Sequence, residues 1–228
     1  MDVLARLDET RSAIDVLEHP FYRRWSAGEL SAGELARYAG EYRHAVGALA
    51  HASSRAAECA AASPATAEHA DGLRRHAEEE AEHVALWEQF ERALAAEPAG
   101  AVVAESEQTR ACVRAWNAGE DLLEHLAVLY AIEAGQPEIS ATKLAGLSDH
   151  YGVSDEGPAS EYFRVHELRD VEHARAAREL IAQLIGEADD PEERADRMVT
   201  RAADALRGNW LLLDGVEASY VPAALQEA

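Results

Sequence analysis

The sequence contains a single lysine, Lys143. The chain has 228 residues and a formal net charge of −22. Phosphate backbones need cationic side chains to release counterions, so a nucleic-acid or anionic-membrane partner is not expected. The chain also lacks an apolar run long enough to span a bilayer and a signal-peptide pattern at its start, so we expect a soluble, cytoplasmic protein. Two cysteines, Cys59 and Cys112, are too few for a disulfide framework or a cysteine zinc site.

Aromatic residues make up only 6% of the chain, and β-branched residues are scarce beside alanine, leucine, glutamate and arginine. This composition favours helices, and no strand pattern appears. Helical periodicity predicts nine segments, at 3–17, 21–25, 31–61, 64–95, 103–116, 120–134, 139–150, 159–186 and 191–219. Connections are short, which is typical of antiparallel neighbours. We therefore predict an all-α bundle of about seven to nine helices, with residues 1–228 forming one domain.

Proline and serine mark several predicted boundaries. Ser31 and Glu34 have the spacing of a capping box, which opens a long helix. Pro64 fits the first turn of the next helix. A turn is predicted at 98–100.

One helix carries two imidazoles and a carboxylate on a single stripe. His166, Asp170 and His173 stand at positions i, i+4 and i+7, and apolar residues precede them in the sequence. Side chains at this spacing share one helix face. A core helix would place leucine or alanine there, so the stripe indicates a metal site.

Two other helices offer matching ligands. Glu80 and His83 lie three residues apart, while Glu79 and His83 lie four apart, so either glutamate shares a face with the histidine. Glu133 comes from a third helix. Mixed oxygen and imidazole ligands suit iron or manganese, and Glu-x-x-His is a recurring unit of di-iron bundles. The predicted metal ligands are Glu80, His83, Glu133, His166, Asp170 and His173.

Four further residues remain alternatives for this site. Glu79 competes with Glu80. His76 belongs to a series with His69 and His83 at every seventh residue, and it is predicted to lie outside the ligand set or at the surface. Glu41 and His44 should lie level with Glu80 if their helices form a hairpin about Pro64. A seventh ligand or a supporting role is open for these residues.

The chain resembles the heme-oxygenase-like dimetal oxidases, whose fold is related to that of the TenA thiaminases and PqqC quinone synthases. Within that family it is most similar to the self-sacrificing para-aminobenzoate synthases. The resemblance runs from His19 to about Ala177. It rests on these segments: His19-Pro-Phe-Tyr22-Arg-Arg-Trp25-Ser-Ala-Gly28, Tyr38-Ala-Gly-Glu-Tyr42-Arg-His44, His83-Val-Ala-Leu-Trp87, Tyr130-Ala-Ile-Glu133, Pro137-x5-Lys143-Leu-Ala-Gly146-Leu147, and the helix with His166, Asp170 and His173.

The resemblance implies two metal ions, iron or an iron–manganese pair, with dioxygen as co-substrate and an external reductant. The family's ligands fall on the six predicted residues. Its essential lysine falls on Lys143, and the tyrosine consumed to form the aromatic ring falls on Tyr22. The implied reaction cuts the Tyr22 side chain from the backbone, takes nitrogen from Lys143 and yields para-aminobenzoate, a folate precursor. A homodimer is compatible with this fold.

Two other functions share these features. A dimetal oxygenase of the same fold would act on an external amino acid, amine or fatty acid by N-oxygenation, desaturation or oxidative decarboxylation. A helical protein-interaction module would bind a partner helix and leave the ligands unused. A thiaminase-type hydrolase fits less well, because neither cysteine lies in a segment that carries the site motifs.

Overall fold

The described part of a computed structural model, residues 2–94 and 105–218, is built from helices and turns with no β-strand. This confirms the all-α prediction. Nine α-helices lie in these ranges: α1 (Val3–Ala13), α2 (Pro20–Ala27), α3 (Ala32–Ala62), α4 (Ala70–Leu94), α5 (Glu107–Trp116), α6 (Leu122–Glu133), α7 (Gln136–His150), α8 (Glu161–Gly186) and α9 (Pro191–Ala218). None of them combines the length and apolar character needed to cross a membrane.

Helix α6 lies at the centre of the packing. Each of its twelve residues is buried, as expected for a helix that is apolar on almost all sides. It contacts α3, α8 and α9, while α3 packs along α4 and α7 along α8. Because α8 also contacts α4, inward-facing side chains of α4, α6 and α8 can meet.

Several helix boundaries differ from the prediction. Helix α1 ends at Ala13 rather than at residue 17, because Asp15 accepts a hydrogen bond from the Leu17 amide and starts a separate 3-10 turn. Helix α4 begins at Ala70 rather than at residue 64. The Thr66 hydroxyl donates to the Ala60 carbonyl and turns the chain before the helix starts.

The remaining differences are smaller. Helix α7 begins at Gln136, three residues earlier than predicted. The predicted turn at 98–100, the predicted helix start at 103 and the predicted last residues of two helices, 95 and 219, lie outside the described residues. The capping box of Ser31 and Glu34 is present, and both cysteines are free.

The indole of Trp25 joins α2 to α7. Its Nε1–H donates to the Lys143 carbonyl at 3.2 Å, and Gly146 leaves room for the ring. His19 precedes α2 and caps it, with its Nδ1 accepting from the Phe21 amide. Trp25 and Tyr22 are therefore held against the segment that carries Lys143.

The fit between Trp25 and Gly146 predicts a large effect of one methyl group. A Cβ at position 146 would lie 2.5 Å from the Trp25 ring, so Gly146→Ala should lower the free energy of unfolding by about 1–3 kcal/mol. Gly47→Ala is the matched control, because a Cβ there meets nothing within 4 Å. It should stabilise the protein by about 0.5–1 kcal/mol. Urea unfolding checks both, and equal effects would contradict the packing described.

Candidate metal centre and amine pocket

The predicted metal-ligating side chains converge inside the bundle. They come from α4, α6 and α8 and lie in the core, where Glu133, His166 and Asp170 have no exposed surface. Five of the six supply donor atoms to two groups, each within 4.8 Å, and His76 joins the first of them. Asp170 belongs to neither group, but its Oδ1 lies 3.4 Å from His173 Nδ1. The three-helix convergence expected from the sequence is therefore present.

The first group joins His76, Glu80, Glu133 and His173. His76 Nε2 lies 2.8 Å from Glu133 Oε1 and 3.9 Å from Glu80 Oε1. His173 Nδ1 lies 3.9 Å from the same Glu80 oxygen and 3.4 Å from Asp170 Oδ1. Metal–ligand bonds of about 2.1 Å put adjacent donors of an octahedral ion roughly 3 Å apart, so these separations suit a shared ion.

The second group joins Glu80, His83 and His166. His83 Nδ1 lies 3.1 Å from Glu80 Oε1, and His166 Nε2 lies 3.9 Å from Glu80 Oε2. Glu80 thus belongs to both groups. A carboxylate in this position can connect two metal ions.

Many of the buried donor atoms lack hydrogen-bond partners, as expected of atoms that bind a metal ion. Buried polar atoms normally find hydrogen-bond partners. The following ones have none here: His76 Nε2, Glu80 Oε1, His83 Nδ1, both Glu133 carboxylate oxygens, His166 Nε2, both Asp170 carboxylate oxygens and His173 Nδ1. Burial raises the pKa of Glu133 and of Asp170, because it disfavours their charged forms. Bound cations would satisfy these atoms and neutralise the carboxylates, so the residues fit a metal centre.

Hydrogen bonds fix the ring orientation of two histidines. His166 Nδ1 lies 2.8 Å from the Tyr162 carbonyl, which can only accept, so Nε2 keeps its lone pair for a cation. His173 Nε2 lies 3.1 Å from Glu79 Oε2, which leaves Nδ1 toward the centre. Such outer partners are typical of metal-binding histidines. Glu79 therefore orients His173 from outside the two groups, and Glu80 lies within both.

His76 lies inside the first group and is mostly buried, so the surface position considered for it from the sequence is not the one observed. The residue is mostly buried because α6 brings Glu133 against it. Burial acts to lower the pKa of His76, but the Glu133 carboxylate outweighs this effect and raises the pKa to about 9. The positive charge of protonated His76 lies beside the Glu133 carboxylate, where a bound cation would place its own charge.

Glu41 and His44 lie elsewhere. Glu41 accepts hydrogen bonds from Ser106 and Thr109 at the start of α5 and from Arg37, so it joins α3 to α5. Its side chain faces α5, because a position along the α3–α4 hairpin does not determine which neighbour a helix face meets. His44 is half-buried and belongs to neither group of donors.

The Lys143 amine lies in a cage of aromatic rings. It is fully buried, and its Nζ has no hydrogen-bond partner. Distances from Nζ to the ring centroids are 4.8 Å for Tyr42, 5.1 Å for Phe163, 5.5 Å for Tyr38, 5.6 Å for Tyr22 and 5.8 Å for Trp87. Burial lowers the pKa of Lys143 from 10.5 to about 7. Roughly half of the amines are then neutral at neutral pH.

Tyr22 forms one wall of this cage. Its hydroxyl lies 3.4 Å from that of Tyr38, and burial raises its pKa well above 10. The cage adjoins the metal-type groups through Tyr162, whose ring centroid is 4.8 Å from Trp87 and 4.0 Å from His166. Tyr42, Tyr162 and Trp87 were not among the predicted site residues. Tyr42 and Trp87 stand in segments that carry the family resemblance, and this was the available signal.

The lowered pKa of Lys143 predicts a pH-dependent stability. Between pH 7 and 10.5 the unfolded chain holds a proton on this amine that the folded protein lacks, so stability rises with pH over that range and falls as pH approaches 7. Relative to Lys143→Met, the metal-free wild type should gain about 2 kcal/mol of unfolding free energy from pH 7 to pH 9. Urea titrations at both pH values check this. Parallel pH profiles would show that the buried amine keeps its ordinary pKa.

A cleft of about 640 Å³ reaches the first donor group from the surface, and its lining includes His76, His173 and Glu79. The lining of this cleft does not include Tyr22 or Lys143. Small molecules from solution thus have a route to one side of the centre, whereas the amine cage lies behind it.

Comparison with known proteins agrees with this architecture. The model of the TENA/THI-4/PQQC family matches residues 7–213. The chain belongs to the TENA/THI-4/PQQC family. The resemblance found in the sequence is therefore confirmed.

This TENA/THI-4/PQQC protein has relatives named 4-aminobenzoate synthase. The one from Nitrosomonas europaea is 32% identical, with 94% of this chain and 91% of the relative covered. The one from Chlamydia trachomatis is also 32% identical, with 89% of each chain covered.

Solved structures support the fold of this TENA/THI-4/PQQC protein. A TenA homolog from Pseudomonas syringae has a TM-score of 0.76 at 17% identity, with 95% of this chain and 91% of that one covered. A protein from Shewanella denitrificans, described as having a heme oxygenase-like fold, has a TM-score of 0.74 at 17% identity. The match covers 96% of this chain and 94% of that one. The predicted heme-oxygenase-like, TenA-type bundle is confirmed.

Proposed function

We propose that this protein is a 4-aminobenzoate synthase that takes the ring from its own Tyr22 and the nitrogen from its own Lys143. Two metal ions, iron or iron with manganese, would be held by Glu80, His83, Glu133, His166, Asp170 and His173. Dioxygen is the co-substrate, and an external reductant supplies electrons. Relatives of that name cover most of the chain and support this reaction.

The observation that carries the proposal is the enclosure of the two reacting groups together. The Lys143 amine lies 5.6 Å from the Tyr22 ring centroid, inside a cage next to a group of buried carboxylates and imidazoles. An external substrate would need space beside the amine, whereas Lys143 is fully buried and does not line the cleft at His76 and His173.

The chain's own residues prepare the reaction in three ways. The apolar cage favours neutral Lys143, which leaves the nitrogen lone pair available for bond formation. Tyr38 and Phe21 pack against Tyr22 and fix its ring. Trp25 holds the Lys143 backbone through its hydrogen bond, so amine and ring keep their relative position.

The metal centre would supply the oxidising power. Redox-active metal ions with free coordination positions would activate dioxygen when bound here. His166 and His173 are oriented for this by the Tyr162 carbonyl and by Glu79. The cleft at His76 and His173 gives small reactants access from solution.

The single lysine makes a sharp test possible. Protein expressed with lysine labelled by ¹⁵N at its side chain carries the label only at Lys143. The labelled protein is incubated with ferrous iron, with and without manganese, together with a reductant and air. We expect 4-aminobenzoate containing ¹⁵N, at no more than one molecule per chain, and a mass change in the peptide that contains Tyr22. Protein kept without oxygen is the control.

The other outcomes identify the competing functions. Unlabelled product, or oxygen consumption with Tyr22 and Lys143 intact, would contradict self-consumption and indicate an oxygenase with an external substrate. Failure to bind any transition metal would favour an interaction module.

A further inference from the structure

Helices α4 and α8 carry the same pattern of side chains. Each has a histidine, a carboxylate four residues later and a second histidine three residues after that. The two stripes are His76-x3-Glu80-x2-His83 and His166-x3-Asp170-x2-His173. Residues at this spacing lie on one face of a helix, so each helix can present two imidazoles with a carboxylate between them.

The structure sets the two stripes against each other in opposite directions. The ring of His76 packs on that of His173, with centroids 4.1 Å apart, and the ring of His83 packs on that of His166 at 4.4 Å. The first histidine of each stripe therefore meets the last histidine of the other. Both pairs contain one imidazole from α4 and one from α8.

We propose that His76 is a seventh metal ligand and that the two matching stripes build the centre together. Each metal position then receives a pair of imidazoles, His76 with His173 at one and His83 with His166 at the other. Glu80, midway along its stripe, belongs to both groups, and Asp170, midway along the other stripe, has its Oδ1 3.4 Å from His173 Nδ1. This inference rests on the proposed metal centre and enlarges its ligand set.

The contacts of His76 are those of a ligand and not of an outer hydrogen-bond partner. Its Nε2 lies 2.8 Å from Glu133 Oε1, yet neither atom has a hydrogen bond of acceptable geometry. Donors of Glu80 and His173 lie within 4.8 Å as well. By contrast, Glu79 contacts only the far nitrogen of His173, which is the geometry of an orienting residue.

Glu133 makes the two positions unlike. It belongs to the group with His76 and His173, whereas the group with His83 and His166 has no carboxylate from α6. The second position is thus the less fully ligated one. It also lies next to Tyr162, on the side of the aromatic cage. The metal position with fewer protein ligands therefore lies on the side of the cage that holds the Lys143 amine and the Tyr22 ring.

Metal binding by full-length variants tests the role of His76. Metal-free wild type, His76→Ala and His76→Gln are titrated with Co(II) without oxygen, and visible absorption and elemental analysis give the number and affinity of bound ions. We expect two ions in the wild type, and in both variants a loss of at least about 100-fold in affinity for one of them. His69→Ala is the matched control, because His69 lines the same cleft but belongs to neither donor group.

Rescue by free imidazole separates a ligand from a structural residue. The cleft reaches position 76, so imidazole can enter the space that His76→Ala leaves and should restore the second ion and its absorption. Circular dichroism verifies that the variants are folded. If both variants bind two ions with wild-type affinity and spectra, His76 is not a ligand, while the proposed function stands. If the wild type itself binds no pair of ions, the proposed function fails and this inference fails with it.

Discussion

Lys143→Arg is expected to reduce 4-aminobenzoate formation to below detection while the metal ions remain bound. Arginine stays protonated in proteins, whereas burial brings the pKa of Lys143 to about 7. The Lys143 Nζ has no hydrogen-bond partner in the cage, so a permanently charged guanidinium buried there should also cost several kcal/mol of stability. Product is measured by mass spectrometry of the medium, and metal by elemental analysis.

Lys143→Met separates the loss of nitrogen from the cost of a buried charge. Methionine fills most of the space of the lysine chain and suits an aromatic cage. This variant should fold at least as stably as the wild type near pH 7, retain metal and form no product. Wild-type yields from either variant would remove Lys143 from the reaction.

Glu80→Gln should abolish metal binding at both positions. Glu80 is 1% exposed and is the residue that the two donor groups share. An amide keeps the shape of the side chain but lacks the negative charge that binds and connects two cations. We expect at least a 100-fold loss of affinity for each ion, measured by metal titration. Burial acts to raise the pKa of Glu80, but the nearby imidazoles of His166 and His83 outweigh this and lower it, so the metal-free variant should also lose some stability.

The adjacent residue provides the control for this experiment. Glu79 is more than a third exposed and reaches only the outer nitrogen of His173. Glu79→Gln should retain two ions, with affinity lowered by about 10-fold at the position of His173. Two tightly bound ions in Glu80→Gln would show that Glu80 does not connect the positions.

Local spacing predicted the part of the site that lies on single helices. His166, Asp170 and His173 share a face because of helical geometry alone, and so do Glu80 and His83. The order of helices was predictable for the same reason. The start of α4 was not, because Pro64 fits a helix start but the Thr66 hydroxyl bonds back to Ala60.

Contacts between helices lay beyond the sequence. Counting from Pro64 put Glu41 level with Glu80, but counting does not determine which neighbour a helix face meets. Glu41 instead meets Ser106 and Thr109 of α5. The spacing within α4 puts His76 on the same face as Glu80 and His83, but its contact with Glu133 depends on how α6 packs against α4.

If Tyr22 is consumed as proposed, its burial has a consequence for the spent protein. The side chain is 2% exposed and packs on Phe21 within the core. Removing a buried aromatic side chain costs about 3–5 kcal/mol, a large share of the stability of about 5–15 kcal/mol that most domains have. A spent chain would therefore unfold more readily and be degraded sooner than a fresh one. The amount of product would then be set by how fast the cell makes the protein, and not by a turnover number.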